Sequence, residues 1–224
     1  MERKAKFLEN EYYHIYSRGV EKRKIFTNES DYLRFIALLY IMNQNEAFRM
    51  ENFLRDKKHN IKNIFEEKRS APLVSILGYC LMPNHFHLIL HEHTEGGISK
   101  FMAKLLTAYS MYFNTKYERS GPLFTRPFRS EHISNESQFM YIFSYLHLNP
   151  ISLFQKDWKE NGITNNKKAM EFLEKFEFSS YLDYLKKDRL ESEILDFSSV
   201  PQYIKDISID LITQENNFRK NAQI

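Results

Sequence analysis

Two neighbouring β-prone segments, separated by a two-residue break, constrain the fold of this chain more than any other feature. The first segment covers residues 71–82 (APLVSILGYCLM) and the second covers 85–92 (HFHLILHE). Pro83 and Asn84, which lie between them, favour a turn. Because so short a connection joins only antiparallel strands, the sequence predicts a β-hairpin here.

Hydrophobic periodicity predicts further elements on both sides of this hairpin. We predict strands at 12–19 and 128–133 and helices at 32–44, 98–117 and 136–148. The resulting order β, α, β, β, α, β, α favours an α+β fold of the ferredoxin-like sandwich type. In that fold, helices pack on an antiparallel sheet.

Two segments fall outside this regular pattern. Residues 44–70 are polar and rich in charge, so we interpret them as an insertion that leaves the core. The last part of the chain, 156–224, is expected to be a mainly helical extension that is not clearly a separate domain. Its predicted helices lie at 167–176 and 180–187. The core domain is accordingly expected at 1–155.

Composition excludes several classes of protein. Six glycines are few for a Rossmann or P-loop protein, and the single Cys80 excludes an intramolecular disulfide and a cysteine-based zinc cluster. The longest apolar run, 35–42, is too short to cross a membrane, and the first residues do not resemble a signal peptide. We therefore expect a cytoplasmic protein without a membrane partner. A net charge of +3 permits a nucleic-acid partner without requiring one.

The second strand of the hairpin carries two histidines at alternate positions. Side chains alternate across a strand, so His85 and His87 share one face, about 7 Å apart along the backbone. Two imidazoles at this spacing can bind one cation and leave coordination positions open, as a catalytic metal requires. The alternative interpretation is a solvated strand face on which the two histidines are incidental.

The helix predicted at 136–148 places Tyr145 and Asn149 one turn apart, so both can address the same point in space. A plainer interpretation is also open. Tyrosines on amphipathic helices usually pack against the core, and an asparagine before a proline usually ends a helix.

Basic residues interleaved with aromatic residues lie near these elements. Phosphate-binding cations beside base-stacking rings are typical of single-stranded nucleic-acid binding, although each cation taken alone is ordinary solvated surface. The candidate DNA-binding residues are Arg18, Lys22, Arg23, Lys100, Lys104, Arg126 and Arg129.

Four ordered motifs together resemble a known family. The run YCLMPNHFHLIL at 79–90 resembles the HUH motif of the single-tyrosine, IS200-like transposases, and more closely that of their domesticated branch, the REP-associated tyrosine transposases. Further agreement is seen in HIYSRG at 14–19, GPLF at 121–124 with FRS at 128–130, YLHLNP at 145–150 and the short FSSY at 178–181.

This resemblance implies a transposase-like enzyme that transfers DNA strands, with residues 1–155 as its catalytic domain. By position, His85, His87 and Asn149 would bind a divalent magnesium or manganese ion, and Tyr145 would be the nucleophile. The implied substrate is single-stranded DNA that carries a hairpin, from REP-like or element-end sequences. Cleavage would give a 5′-phosphotyrosine and a free 3′-hydroxyl that can be rejoined, and the implied assembly is a monomer or a homodimer.

The sequence departs from the family pattern in three respects. The insertion at 44–70 is longer than the usual connection, and Phe124 and Phe178 stand where the family often has tryptophan. Tyr141 lies one turn before Tyr145 and is a competing nucleophile.

Two other functions remain open from the sequence. One is a domesticated DNA-hairpin-binding protein without strand-transfer activity. The other is a zinc hydrolase unrelated to DNA, which would need a carboxylate ligand such as Glu92 or Glu131.

Overall fold

The computed structural model describes residues 6–56 and 58–205, and the strands in these ranges form one four-stranded antiparallel sheet. The strands are β1 (Tyr12–Arg18), β2 (Val74–Met82), β3 (His85–Glu92) and β4 (Arg129–Ile133). Their order is β2-β3-β1-β4, and every neighbouring pair is antiparallel. The predicted ferredoxin-like sheet is therefore confirmed, and with it the β2–β3 hairpin across Pro83 and Asn84.

Helices cover the sheet and extend the chain beyond it. They are α1 (Glu29–Ile41), α2 (Met50–Arg55), α3 (Gly97–Lys116), α4 (Glu136–Leu148), α5 (Trp158–Asn161), α6 (Asn166–Leu173), α7 (Tyr181–Tyr184) and α8 (Gln202–Lys205). Short 3-10 turns lie at Val20–Lys22, Ile61–Glu66, Asn149–Leu153, Leu190–Ile194 and Phe197–Ser199. In the described part of the chain, no helix combines the length and the apolar character that a membrane span needs.

Both faces of the sheet are covered. Phe86, which faces α1 and α3, packs against Phe35 of α1 and against Phe124. On the opposite face, Leu146 of α4 belongs to a second buried cluster that includes Ile89. The residues of β3 therefore alternate between two cores, and the face toward α4 is the one that carries His85 and His87.

Two predicted helices end earlier in the structure than expected, for identifiable reasons. The helix predicted at 32–44 is capped by Asn28 and ends at Ile41. Beyond this point, the Asn43 side chain bonds the backbone of Leu73 and Val74 instead of continuing the helix. The helix predicted at 180–187 is reduced to α7, which is followed by Lys186 with a φ of 58°.

The interpretation of residues 44–70 as a segment outside the core is wrong in part. Met50, Ile64 and Phe65 from this segment are buried in the larger core cluster, and Arg69 lies over the ring of Tyr40. These few apolar residues could not be recognised as buried from the sequence, because they lie in a polar segment and their spacing is too irregular to give a periodic pattern.

The C-terminal extension closes the outer edge of β2. The backbone N–H of Leu81 donates to the carbonyl of Phe178, and the N–H of Ser180 donates to the carbonyl of Tyr79, each at 2.9 Å. An edge strand with unpaired backbone groups is a site of unwanted association. Pairing with 178–180 explains how β2 is buried along its whole length although it lies at the sheet edge. Residues 206–224 of the predicted extension lie outside the described residues.

Candidate active site

Strand β3 brings two imidazoles to the face below α4. The rings of His85 and His87 have centroids 5.0 Å apart at an angle of 88°. His87 is buried with 4% exposure, whereas His85 is half-buried. In the neighbouring strand, Arg18 lies opposite His85 and Tyr16 lies opposite His87.

Helix α4 and the turn that follows it supply the other two predicted residues. The Tyr145 ring lies edge-on against His87, with centroids 5.4 Å apart. Asn149 is buried, and its side chain lies close enough to His85 to act on the pKa of that imidazole. Pro150 forces the tighter 3-10 turn that holds Asn149 there. The structure thus places His85, His87, Tyr145 and Asn149 together.

Burial keeps His85 and His87 neutral. Burial, together with the positive charges of Arg18 and Lys159, lowers the pKa of His85 to about 4. The pKa of His87 is lowered well below its ordinary value, mainly by burial and then by the neighbouring His14. A neutral imidazole keeps a lone pair on one ring nitrogen, which is the form that binds metals.

His14 determines which nitrogen of His87 is available. Its Nε2 lies 2.8 Å from Nδ1 of His87, and its Nδ1 lies 3.6 Å from Oε2 of Glu131. A carboxylate on that side favours the His14 tautomer with a proton on Nδ1, which leaves His14 Nε2 as an acceptor. His87 then donates from Nδ1 and keeps its lone pair on Nε2.

Glu131 is held in the row of side chains behind the histidines. Its Oε1 accepts a hydrogen bond of 2.9 Å from the Tyr16 hydroxyl. The contacts with His14 and Tyr16 lower the pKa of Glu131 below its ordinary value, so the carboxylate is charged at neutral pH.

The donor set fits a hard divalent cation. Nε2 of buried His87 has no hydrogen-bond partner among the described residues, and the same holds for Nδ2 of Asn149. Two imidazole nitrogens and one carboxamide oxygen form an open set that phosphate oxygens and water can complete.

The zinc hydrolase receives no support from the described residues, among which no three His, Cys, Asp or Glu side chains converge on a metal position. Buried Glu92 accepts from the backbone N–H groups of Gly96 and Ile98 at the start of α3. The carboxylate of Glu131 contacts His14 and Tyr16.

Two residues of the C-terminal extension reach the site, and no sequence motif signalled them. The Lys159 ammonium donates to the Tyr145 hydroxyl at 2.9 Å. The buried Trp158 ring stacks on Tyr145 with centroids 6.5 Å apart. The site therefore includes residues from both sides of the predicted boundary at 155.

The competing tyrosine has a different environment. Tyr141 is 42% exposed, and its ring stacks on Tyr145 at 6.3 Å. The Tyr145 ring, in contrast, contacts both His87 and His14. The geometry favours Tyr145 over Tyr141 as the residue that faces the histidines.

The candidate DNA-binding residues fall into groups. Arg18 and Arg129 extend from strands β1 and β4 on the histidine side of the sheet, where Arg129 lies opposite Tyr16. Arg126 lines a groove of about 520 Å³ along α3. These three side chains are exposed and available for phosphate contacts.

Three of the other four candidates use their side chains for contacts within the protein, whereas the side chain of Lys22 is exposed. Arg23 donates to the Val20 carbonyl and the Glu21 carboxylate, and the Lys22 carbonyl accepts from Asn84. The ammonium groups of Lys100 and Lys104 bond residues 44–46 at the start of α3. All seven positions stay predictions for DNA binding.

Comparison with known proteins identifies the family. The family model described as "Transposase IS200 like" matches residues 8–149. The chain belongs to the IS200-like transposase family. The match begins before β1 and ends at Asn149, so it contains all four residues at the centre of the site, whereas Trp158 and Lys159 lie beyond it.

Two further comparisons complete this result. No curated protein matches this IS200-like transposase. Among solved structures, it is similar to a REP-associated tyrosine transposase bound to a REP hairpin, with 12% sequence identity and a TM-score of 0.47. The similarity covers 93% of this chain and 99% of that one.

Proposed function

We propose that this IS200-like transposase is a metal-dependent enzyme that cleaves single-stranded DNA with Tyr145 and then rejoins it. The observation that carries the proposal is the position of Tyr145, with its ring against His87 and one helical turn before Asn149. A hydroxyl nucleophile lies beside a set of neutral metal-binding groups, which is the arrangement that phosphoryl transfer requires.

Tyr145 performs the covalent step in this mechanism. Its Oη forms a bond to the scissile phosphorus, and the bond from phosphorus to O3′ breaks, which gives a 5′-phosphotyrosine and a free 3′-hydroxyl. Since the new link is again a phosphodiester, a 3′-hydroxyl can attack it and restore the strand without ATP. His14 and His87 flank the Tyr145 ring and fix the direction of attack.

His85, His87 and Asn149 would hold the divalent magnesium or manganese ion. When bound, this ion supplies Lewis-acid polarisation of the phosphate and offsets the charge that develops on its oxygens.

The proposed substrate is a single strand next to a hairpin, of the REP-like or element-end kind. Arg18 and Arg129 border the site and are suited to track the phosphate backbone on either side of the scissile bond. Tyr145 contacts the histidines of its own chain, so one copy carries a full set of these groups. We therefore propose that a monomer suffices for cleavage, and a homodimer would be needed only to exchange strands.

The test uses end-labelled hairpin oligonucleotides taken from the DNA that flanks the gene, incubated with the protein and Mn²⁺. We expect a covalent protein–DNA adduct on a denaturing gel that is absent with EDTA and with Tyr145→Phe. Tyr141→Phe is the matched control, because it removes a hydroxyl one turn away on the same helix, and it should retain the adduct.

The outcomes separate the candidate functions. An adduct formed equally by Tyr145→Phe would overturn the assignment of the nucleophile. A hairpin-dependent gel shift without adduct or cleavage would instead favour a DNA-hairpin-binding protein that lacks strand-transfer activity.

A further inference from the structure

The side chain of Lys159 is placed directly on the proposed nucleophile. Its Nζ lies 2.9 Å from Oη of Tyr145 and 4.4 Å from the centroid of the same ring. A lysine ammonium is a compact positive charge with three donors, so it stabilises a negative oxygen at this distance strongly.

The segment that carries Lys159 is anchored in the protein. Trp158 is buried with 4% exposure and fixes the start of α5 beside Tyr145. Gln155 closes the loop around α5, because its side chain donates to the Gly162 carbonyl and accepts from the backbone N–H of Thr164. Lys159 is therefore presented to the site by a defined loop.

The charge of Lys159 also acts on the rest of the site. It contributes to the lowered pKa of both His85 and His87, so the ammonium lies close to the histidines as well as to Tyr145. Lys156, three residues earlier, is exposed and offers a matched position for a control variant.

We propose that Lys159 is a second catalytic residue, whose ammonium stabilises the negative charge on Oη of Tyr145 during attack and again during rejoining. This inference rests on the proposed function. In cleavage, the hydroxyl proton passes to water, the bond from Oη to phosphorus forms, and the bond to O3′ breaks as O3′ takes a proton from water. Rejoining reverses these changes, and Lys159 stays an ammonium throughout.

The role differs from that of a metal ligand or a DNA anchor. Tyrosine is a weak nucleophile at neutral pH because its hydroxyl ordinarily ionises near 10. A cation fixed at Oη lowers the free energy of the phenolate and of the transition state in which Oη carries partial charge. It also favours Oη as the leaving group when the strand is restored.

The first experiment compares single-turnover rates of phosphotyrosine formation for wild type, Lys159→Met, Lys159→Arg and the control Lys156→Met. We expect Lys159→Met to slow the covalent step by about 10²–10³-fold, the range found when one oxyanion donor is removed. Hairpin affinity should change little, whereas Lys159→Arg should retain part of the rate and Lys156→Met nearly all of it.

A second experiment needs no DNA and no metal. N-acetylimidazole acetylates phenolates faster than phenols, and mass spectrometry reports the extent at each tyrosine. Lys159→Met should slow acetylation of Tyr145 several-fold and leave the exposed Tyr141 unchanged.

The two experiments distinguish the two possible failures. Equal rates for wild type and Lys159→Met in both experiments would overturn the role of Lys159 and leave the proposed function intact. If wild type forms no adduct, the proposed function fails. The acetylation result then still decides whether Lys159 activates the Tyr145 hydroxyl.

Discussion

At the scale of single residues, the site depends on how each side chain constrains the next. Glu131, His14 and His87 form a row of contacts. The Glu131 carboxylate faces Nδ1 of His14, and Nε2 of His14 contacts Nδ1 of His87. This arrangement leaves Nε2 of His87 without a hydrogen-bond partner among the described residues. Groups behind a metal ligand that fix its ring and tautomer commonly contribute much of the metal affinity.

We therefore expect His14→Ala to weaken Mn²⁺ binding by about 10–100-fold, the range typical for loss of such a partner. Isothermal titration calorimetry on the protein without DNA measures this effect directly. Tyr16→Phe is the matched control, because it removes only the hydroxyl that bonds Glu131 and keeps the aromatic ring. Equal Mn²⁺ affinity for wild type and His14→Ala would show that His14 does not position His87.

The sequence indicates the residues of the candidate site better than the residues that contact them, such as His14 and Lys159. His85, His87, Tyr145 and Asn149 lie within local motifs whose spacing is fixed by one strand and one helix. The contact between His14 and His87 depends on the register of β1 against β3, which is set by packing over the whole sheet. Lys159 was missed because a single lysine in a polar segment carries no periodic or motif signal.

At the scale of secondary-structure elements, a buried set of hydrogen bonds joins α4 to the edge of β2. His147 donates from Nδ1 to the Phe143 carbonyl and accepts at Nε2 from the Ser180 hydroxyl, with both distances 2.9 Å. Ser180 Oγ also accepts from the backbone N–H of Tyr79 at 2.9 Å. The YLHLNP and FSSY motifs are thus linked to each other through His147 and Ser180.

This contact predicts a pH dependence of stability. Burial lowers the pKa of His147 from 6.5 to about 3 in the folded protein. Between these values the unfolded chain binds more protons, so stability is fully present above pH 6.5 and is lost as the pH falls. The loss attributable to His147 approaches, at most, about 1.4 kcal/mol per pH unit.

Urea unfolding of wild type and His147→Leu at several pH values between 7.5 and 4 measures this contribution. Other buried histidines titrate in both proteins, so their effects cancel in the difference between the two. The variant should be less stable at pH 7.5 and should lose less stability on acidification. Parallel curves for the two proteins would show that His147 does not titrate on unfolding.

The element boundaries show what sequence patterns can specify. Strands β1 to β3 and helices α1, α3 and α4 were predicted because each has a regular apolar pattern. Strand β4 was predicted from the short segment 128–133, although most of its residues are exposed. The 3-10 turns and the short helices α5 and α7 were poorly defined by sequence, since their length is set by tertiary hydrogen bonds. The pairing of 178–180 with β2 joins segments about one hundred residues apart, which no local pattern encodes.

At the scale of the whole molecule, positive charge is divided between two regions. Arg18 and Arg129 border the site, whereas Lys100 and Lys104 lie at the start of α3 and bond the segment 44–46. Under the proposed function, a DNA strand that enters the site would pass Arg18 and Arg129.

We expect Arg18→Gln to weaken hairpin binding and to reduce the slope of log affinity against log salt by about one, as the loss of a single phosphate contact does. Lys100→Gln is the control, because it removes the same single positive charge. It should have a smaller effect, since the ammonium group of Lys100 already bonds Asn45. Fluorescence anisotropy at several salt concentrations gives both slopes. A larger effect for Lys100→Gln would locate the DNA on the α3 side instead.

The covering of the β2 edge by residues 178–180 has a consequence for truncated forms of this protein. The matched family region ends at Asn149, yet a chain that stopped there would present β2 with open backbone groups along an apolar strand. We expect such a premature termination product to aggregate or to be degraded rather than to survive as a partial nuclease. Since residues 178–180 follow the matched region along the chain, the outer edge of β2 is covered only after the segment beyond Asn149 has been synthesised.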